Sequence, residues 1–258
     1  MSQLLVSVVS NERVLPSTYA LTLDVGAAAR DAVPGQVLLL RCGRSTDPFL
    51  RRPMGVGKTE GDTIEIMVQR AGAGSEWLIR LRPGDEIDCV GPVGRGFTLD
   101  ASTQNLLLLG RGYGIGPLLG VAEKAVAQQK SVTLAVQAAT ADEVLPPRLL
   151  HPLIDYLVAT DDGSVGYHGS IMDRVGELLP WADGICGSGP LLLMSGLASA
   201  IAARIPKKRA QIMIERRIAC TSGVCFSCVV DTRRGLRRTC VDGPVFDSAA
   251  ILWTERAA

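Results

Sequence analysis

Four cysteines carry the most specific chemistry in this 258-residue chain: Cys220, Cys225, Cys228 and Cys240. Four residues separate the first two, two separate the next pair, and eleven precede the last. That is the plant-type spacing of a [2Fe–2S] cluster. Soft thiolates suit ferric iron, and two irons need four of them. Gly223 lets a loop fold over such a cluster, and the small Ser222 and Ser227 leave backbone N–H groups free to bond its sulfurs. A structural zinc site also takes four cysteines, but typically as two close pairs in sequence, whereas here three fall within nine residues and the fourth is distant. The chain has seven cysteines, an odd number, with four in its last 39 residues. In a reducing compartment such a cluster reads as metal ligation before disulfides. Cys42 and Cys89 read as inert core thiols.

A second stretch with chemical potential is GRGYGIGP, residues 110–117, directly after an apolar run at 105–109. A glycine loop between strand and helix cradles phosphate with backbone N–H groups and the helix N-terminus. The strict dinucleotide fingerprint is not met, because the motif reads Gly112, Gly114, Pro117. Glycines at a strand–turn–helix junction are as often structural as functional. Gln137 rather than an acidic residue ends the next strand, so ribose recognition is not readable there. In RRPMGV, residues 51–56, Arg52 has the geometry to pair with a phosphate or an electron-rich ring. In AGAGSEWL, residues 71–78, Gly72 and Gly74 permit close backbone approach, and Ser75 offers a hydroxyl and an N–H to a phosphate. Either stretch alone would be an ordinary turn, as Pro83-Gly84-Asp85 is.

These loops need elements to position them. Up to about residue 99 the pattern is one of short strands: Leu4–Val9, Tyr19–Val25, Val37–Leu40, Thr63–Val68 and Glu86–Val90, separated by Gly, Pro and Asp turns. That predicts a small antiparallel barrel. Beyond Phe97, apolar runs at 105–109, 132–137, 156–159, 184–186 and 211–214 alternate with amphipathic stretches at 118–129 and 191–204, which predicts a parallel α/β sheet. From Arg216 the composition shifts to Cys, Arg and Gly. The expected units are 1–99, 100–214 and 215–258.

Lys plus Arg number 27 and Asp plus Glu 26, a balance that argues against a dedicated nucleic-acid binder. At 47% hydrophobic and 21% charged, the chain is not disordered. No run reaches the roughly 18 apolar residues of a membrane helix. The N-terminus has no basic region and no cleavage pattern, so a cytoplasmic location is expected.

Taken in order, these segments resemble the flavin and iron–sulfur electron-transfer subunits of B-type dihydroorotate dehydrogenases, within the wider ferredoxin reductase family. The resemblance covers nearly the whole chain. Arg52-Pro53-Met54-Gly55 resembles the family's Arg-Pro-x-Ser flavin motif, and Gly74-Ser75-Glu76-Trp77-Leu78 its pyrophosphate turn. Gly91 to Phe97 looks like the segment closing the barrel, and Thr160 to Ser164 with Gly169 like a segment of the nucleotide domain. Cys220 to Cys240 followed by Asp242-Gly243-Pro244-Val245-Phe246-Asp247 is the most specific match.

The resemblance implies FAD held by the Arg52–Gly55 and Gly74–Ser75 segments together with Met67, Val68 and Gln69. It implies NAD at the Gly112, Gly114, Pro117 loop, and a [2Fe–2S] cluster on the four cysteines. Electrons would pass between NADH, FAD and the cluster, to or from an FMN-containing dihydroorotate dehydrogenase catalytic subunit in a heterotetramer. Three departures stand out. Gly55 replaces the motif serine, Arg111 replaces a usual glycine of the nucleotide loop, and the family's Cys-Gly-Pro reads Ser188-Gly189-Pro190, with Cys186 two residues upstream. No basic cluster follows the second strand of the parallel sheet, which favours NAD over NADP.

Two other functions remain open on sequence grounds. One is a flavin subunit of another NADH-dependent reductase, such as a ferredoxin or sulfur-reducing complex, although four cysteines disfavour bifurcating relatives that replace one ligand by aspartate. The other is a colourless regulatory module built on a zinc ribbon. The cluster segment lacks a base and carboxylate-holding groups for dihydroorotate, so a complete enzyme is not expected. His151 and His168 read as surface or local structural residues. Arg233, Arg234, Arg237 and Arg238 read equally as a solvated turn between two short strands or as a docking rim for an acidic partner.

Overall fold

The computed structural model describes residues 3–43 and 48–253; the outermost residues of the first and third expected units lie outside that range. The first sheet contains β1 (Gln3–Leu15), β2 (Thr18–Asp24), β3 (Val37–Leu40), β4 (Arg52–Gly55), β5 (Thr59–Glu60), β6 (Thr63–Gln69) and β7 (Glu86–Val93). Its order is β4-β3-β7-β1-β2-β6-β5, antiparallel throughout. The period-two alternation of YALTLD puts Leu21 and Leu23 inside, where they join Val6, Ile64, Ile66 and Ile87 in the barrel core. The Arg-Pro segment is itself a strand, β4. Pro53 is tolerated because β4 is an edge strand whose missing N–H leaves no inner ladder broken. A short helix, α1 (Ala73–Leu78), follows β6 where the sequence suggests a turn.

The second sheet contains β8 (Asn105–Arg111), β9 (Ser131–Ala138), β10 (Ile154–Thr160), β11 (Tyr167–His168), β12 (Gly184–Ser188) and β13 (Gln211–Met213). Helices α2 (Ile115–Ala127), α3 (Ile171–Leu178) and α4 (Leu191–Arg204) flank it. A hairpin, β14 (Val229–Thr232) with β15 (Gly235–Arg238), precedes β16 (Val245–Asp247). The sheet order is β11-β10-β9-β8-β12-β13-β16, parallel except for β16. Strand order reverses between β8 and β12, which opens a ligand crevice at their carboxyl ends.

The last segment is not an appendage. The chain leaves the second sheet after β13 and returns as its antiparallel edge strand, with Met213 opposite Val245. Val230, Phe246 and Ile251 pack into the core on one face of that sheet. One apolar cluster runs through all three expected units, joining Val37, Met67 and Phe97 of the barrel to α2 and to Ile218, Cys228, Cys240 and Val245. Among the described residues no helix is long and apolar enough to cross a membrane.

Candidate functional site

The cysteine loop is held in an uncommon backbone. Thr221 (φ 62°), Gly223 (φ 82°) and Phe226 (φ 55°) all adopt left-handed conformations. For Thr221, a β-branched residue, that is a true outlier, and such strain collects at functional loops. Arg238 ties the loop down. Its Nη1 donates to the Gly223 carbonyl at 3.2 Å, its Nε donates to Asp242 at 3.1 Å, and its guanidinium lies 5.4 Å from the Phe226 ring centre. Burial pushes the Asp242 carboxyl up, but hydrogen bonds from the Arg238 backbone and side chain outweigh it and hold the group below its ordinary value.

The four thiols stand in two pairs. The Cys225 N–H donates to Cys220 Sγ at 3.5 Å, and the Cys225 backbone and side chain draw the Cys220 thiol down to about 6. Cys240 lies beside Cys228, and burial followed by that neighbour pushes its thiol up to about 12. Among the described residues no three Cys, His, Asp or Glu side chains are placed to hold a single ion. Two pairs suit two irons, one per pair, better than one zinc at a common centre. Cys42, Cys89 and Cys186 are buried, and burial raises each thiol to about 11, 12 and 12 respectively.

Three cavities form a chain beside this loop. The first, about 510 Å³, has walls from every expected unit: Pro53, Met54, Gly55 and Met67 from the barrel, Pro117 and Met213 from the second sheet and its α2, and Ser227 and Thr239, each next to a cysteine of the buried pair. The second, about 450 Å³, lies at the strand-order reversal between Gly112–Gly114 and Gly189–Leu191. The third, about 360 Å³, runs from Arg52 along the 71–75 turn. Tyr113 borders all three. Its hydroxyl donates to the Glu215 carboxylate. Burial, then Glu215, pushes the Tyr113 phenol well above its usual value, and burial raises Glu215 despite the Tyr113 bond.

Most of the sequence-predicted residues line these cavities. Arg52 lies so close over Gly74 that a Cβ there would sit 2.5 Å from its Nε, so the two motifs form one cradle. The Ser75 hydroxyl is already engaged, accepting from the Ala71 and Gly72 N–H groups at 2.8 and 3.1 Å and donating to the Gly72 carbonyl at 3.0 Å. Its backbone is what it can offer a phosphate. Met67 and Gln69 face the cavities, but Val68 points into the barrel core, as strand alternation requires. The Arg70 N–H donates to Ser17 O at 2.8 Å, so ladder alternation pairs Val68 with Tyr19 and leaves the backbone of Met67 and Gln69 on the open edge.

The glycine loop divides its labour. Gly112 (φ 60°) makes the turn, and a Cβ at Gly114 would sit 3.0 Å from the backbone of Ser188 and Gly189 at the end of β12, so only glycine lets the loop lie this close. Two further glycines, Gly116 and Gly120, let α2 lie directly on Met67 and on the Gly57 carbonyl of the barrel. Pro117 lies 2.8 Å from where a Cβ at Gly55 would be, so the motif position has no room for a serine unless Pro117 moves. Arg111 borders the second cavity with its guanidinium tied to Asp161. Its Nη2 binds Asp161 Oδ2 at 2.8 Å, and Asp161 Oδ1 in turn accepts from Gln137 Nε2 at 2.6 Å. Ser188 is fully buried at the end of β12 beside Gly114, while Cys186 packs in the core. His151 Nδ1 accepts the Leu153 N–H at 3.2 Å, and His168 is exposed on β11.

Donors of the right kind are therefore present: thiols in two pairs, an arginine over a glycine turn, a strand edge with free backbone groups, and an apolar cavity between them. Residues 215–252 match the family described as the iron–sulfur cluster binding domain of dihydroorotate dehydrogenase B. The structure of an NADH-dependent reduced ferredoxin-NADP oxidoreductase superposes with a TM-score of 0.85 at 24% identity, over 98% of this chain and 91% of that one. A ferredoxin NADP+ reductase from Neisseria gonorrhoeae, solved with bound FAD and NADP, gives 0.66 at 18% identity over 82% and 98%. These likenesses establish a ferredoxin reductase-like fold. Among curated relatives, the dihydroorotate dehydrogenase B (NAD(+)) electron transfer subunit of Desulforamulus reducens is 31% identical, with 93% of this chain and 94% of the relative aligned. That of Shouchella clausii is 32% identical over 95% and 96%. With identity at that level over nearly the whole of both chains, the chain belongs to the family of dihydroorotate dehydrogenase B electron transfer subunits.

Proposed function

We propose that this chain carries electrons between NAD(H), FAD and a [2Fe–2S] cluster, to or from a dihydroorotate dehydrogenase catalytic subunit that holds FMN. One observation carries the reading: a single cavity takes its walls from the flavin-motif strand, from α2 of the nucleotide loop and from the neighbours of two cluster cysteines. FAD, when bound, supplies the conversion between the two-electron hydride of NADH and the one-electron cluster. The chain's own residues hold and orient. Arg52 and the 74–75 backbone take the pyrophosphate, with the charge-assisted arginine contact the strongest of the set. The backbone edges of Met67 and Gln69 take the ring, and the crevice between Gly112–Gly114 and Gly189 takes the dinucleotide. Cys220 with Cys225 and Cys228 with Cys240 take the irons. Met67, Pro117, Met213 and Ile218 exclude water from the cavity between ring and cluster.

The three units 1–99, 100–214 and 215–258 are then the flavin, nucleotide and cluster parts of one electron path. The assembly is a heterotetramer in the cytoplasm, with NAD rather than NADP as the nucleotide. Anaerobically purified protein should contain FAD and about two irons and two acid-labile sulfides per chain, the stoichiometry of this cluster type. NADH should bleach its flavin. The chain alone should reduce dyes but not oxidise dihydroorotate, and adding the catalytic subunit should establish that activity. FMN alone in the released flavin, or dihydroorotate turnover by the isolated chain, rejects the reading.

A further inference from the structure

Three hydroxyl-bearing residues line the 510 Å³ cavity: Tyr113, Ser227 and Thr239. Two are engaged. Tyr113 donates to Glu215, and Ser227 Oγ donates to the Arg217 carbonyl at 3.2 Å. Thr239 is fully buried, and its Oγ1 has no hydrogen-bond partner among the described residues. A buried hydroxyl without a partner costs stability, so a chain that keeps one at a cavity wall keeps it for something that enters the cavity. Its backbone is fixed from the cluster side, since the Thr239 N–H donates to the Cys228 carbonyl at 2.9 Å and the next residue is Cys240. Thr239 lines the cavity and Cys240 does not, so the two neighbours look in different directions. The same cavity is bordered by Gly55, where a side chain would run into Pro117. The hydroxyl that the flavin motif omits at that residue is thus present, unpaired, on another residue bordering the cavity.

We propose that Thr239 is a flavin-binding residue, its hydroxyl hydrogen-bonding the polar rim of the isoalloxazine ring in place of the serine missing at position 55. This rests on the reading of the cavity as the flavin site. The contact comes from the residue adjoining a cluster cysteine, so ring position and cluster position are set by one short piece of backbone.

Thr239→Val removes the hydroxyl and keeps the shape, and Thr239→Ser keeps the hydroxyl. The full chain, stripped of flavin, is titrated with FAD by fluorescence quenching, melted with and without FAD, and checked for its cluster by electron paramagnetic resonance after reduction. Thr239→Val should weaken FAD binding about five- to tenfold, the effect of one net hydrogen bond, and Thr239→Ser should recover most of it. Without FAD, Thr239→Val should melt no lower than wild type, because it relieves an unpaired buried group. The cluster signal should be unchanged. FAD affinity within about twofold of wild type overturns the proposal. So does a lowered melting point of the flavin-free variant, which would make the residue structural, or an altered cluster signal with unaltered FAD affinity, which would assign the hydroxyl to the cluster. Failure of wild type itself to bind FAD rejects the flavin site, a separate result.

Discussion

In the cysteine loop, left-handed backbone falls on Thr221, Gly223 and Phe226, two of which pay a steric penalty for it; in the glycine loop it falls on Gly112 alone. The cysteine loop is a strained shape clamped by Arg238. The glycine loop is an unstrained shape whose small residues serve approach, of Gly114 to β12 and of Gly116 and Gly120 to the barrel. One loop is built around what it binds, and the other around what it packs against. Substitutions should therefore act differently in the two loops.

The largest effect is expected from Cys225→Ser. It removes the exposed thiol of the Cys220–Cys225 pair and should abolish cluster retention, read as loss of iron and sulfide with FAD still present at wild-type level. Loss of both cofactors would mean that the two sites are not separable. Next comes Gly120→Ala in the other loop's helix. A methyl there would meet the rigid Gly57 carbonyl and the Pro34 ring, so overpacking of about 1–3 kcal/mol is expected, read in thermal or denaturant unfolding with the cluster intact. An unchanged midpoint would show that α2 can slide off the barrel freely.

Arg238→Ala should cost the cysteine loop roughly 1–2 kcal/mol, less than a fully buried charged hydrogen bond because the pair is partly solvated. Faster cluster bleaching is the readout. Asp242 adds a sign to this. Its folded pKa is depressed, so its contribution is present above the unfolded value and lost as pH falls through the folded one. The difference in bleaching rate between wild type and Asp242→Asn should close on acidification, and a difference that widens would contradict the assignment.

The smallest effect is expected from Arg111→Gly. The Arg111–Asp161 pair is partly exposed and worth about 0–1 kcal/mol, and it ties the guanidinium to Asp161 at the border of the crevice. Stopped-flow reduction of the flavin by NADH should stay within about threefold of wild type, inside the range of such a pair. A large gain would make Arg111 an obstruction, and a large loss would make it a phosphate ligand.

Much of this site is readable in the chain because its chemistry is local. Cysteine spacing, Arg52-Pro53 and the glycine loop are contiguous patterns, and alternation in the strands announces the barrel. Alternation would also have separated Val68 from Met67 and Gln69. Arg238 has an acidic residue four positions on, a sign that the arginine run is not uniformly solvated. Only Arg233 and Arg234, at the exposed hairpin turn, fit the simple picture of a charged rim. Gly116 and Gly120, four apart on one helix, hint at close packing but do not say against what. Nothing local marks Thr239, whose importance depends on a cavity assembled from segments almost two hundred residues apart. The spent hydroxyl of Ser75 and the Pro117 contact at Gly55 are likewise tertiary facts.

The return of β16 to the second sheet has a consequence for how the cofactors communicate. About 30 residues leave at Ile214 and must come back at Pro244, and closing a flexible loop of that size costs about 3 kcal/mol of chain entropy. A cluster that ties residue 220 to residue 240 shortens the part of the loop left free to wander, as any internal cross-link does. Filling the metal site therefore prepays part of the closure, and losing it should loosen a strand on the far side of the module. The edge of the sheet becomes a gauge of whether the iron is in place, readable by hydrogen exchange at Phe246 without touching the cluster.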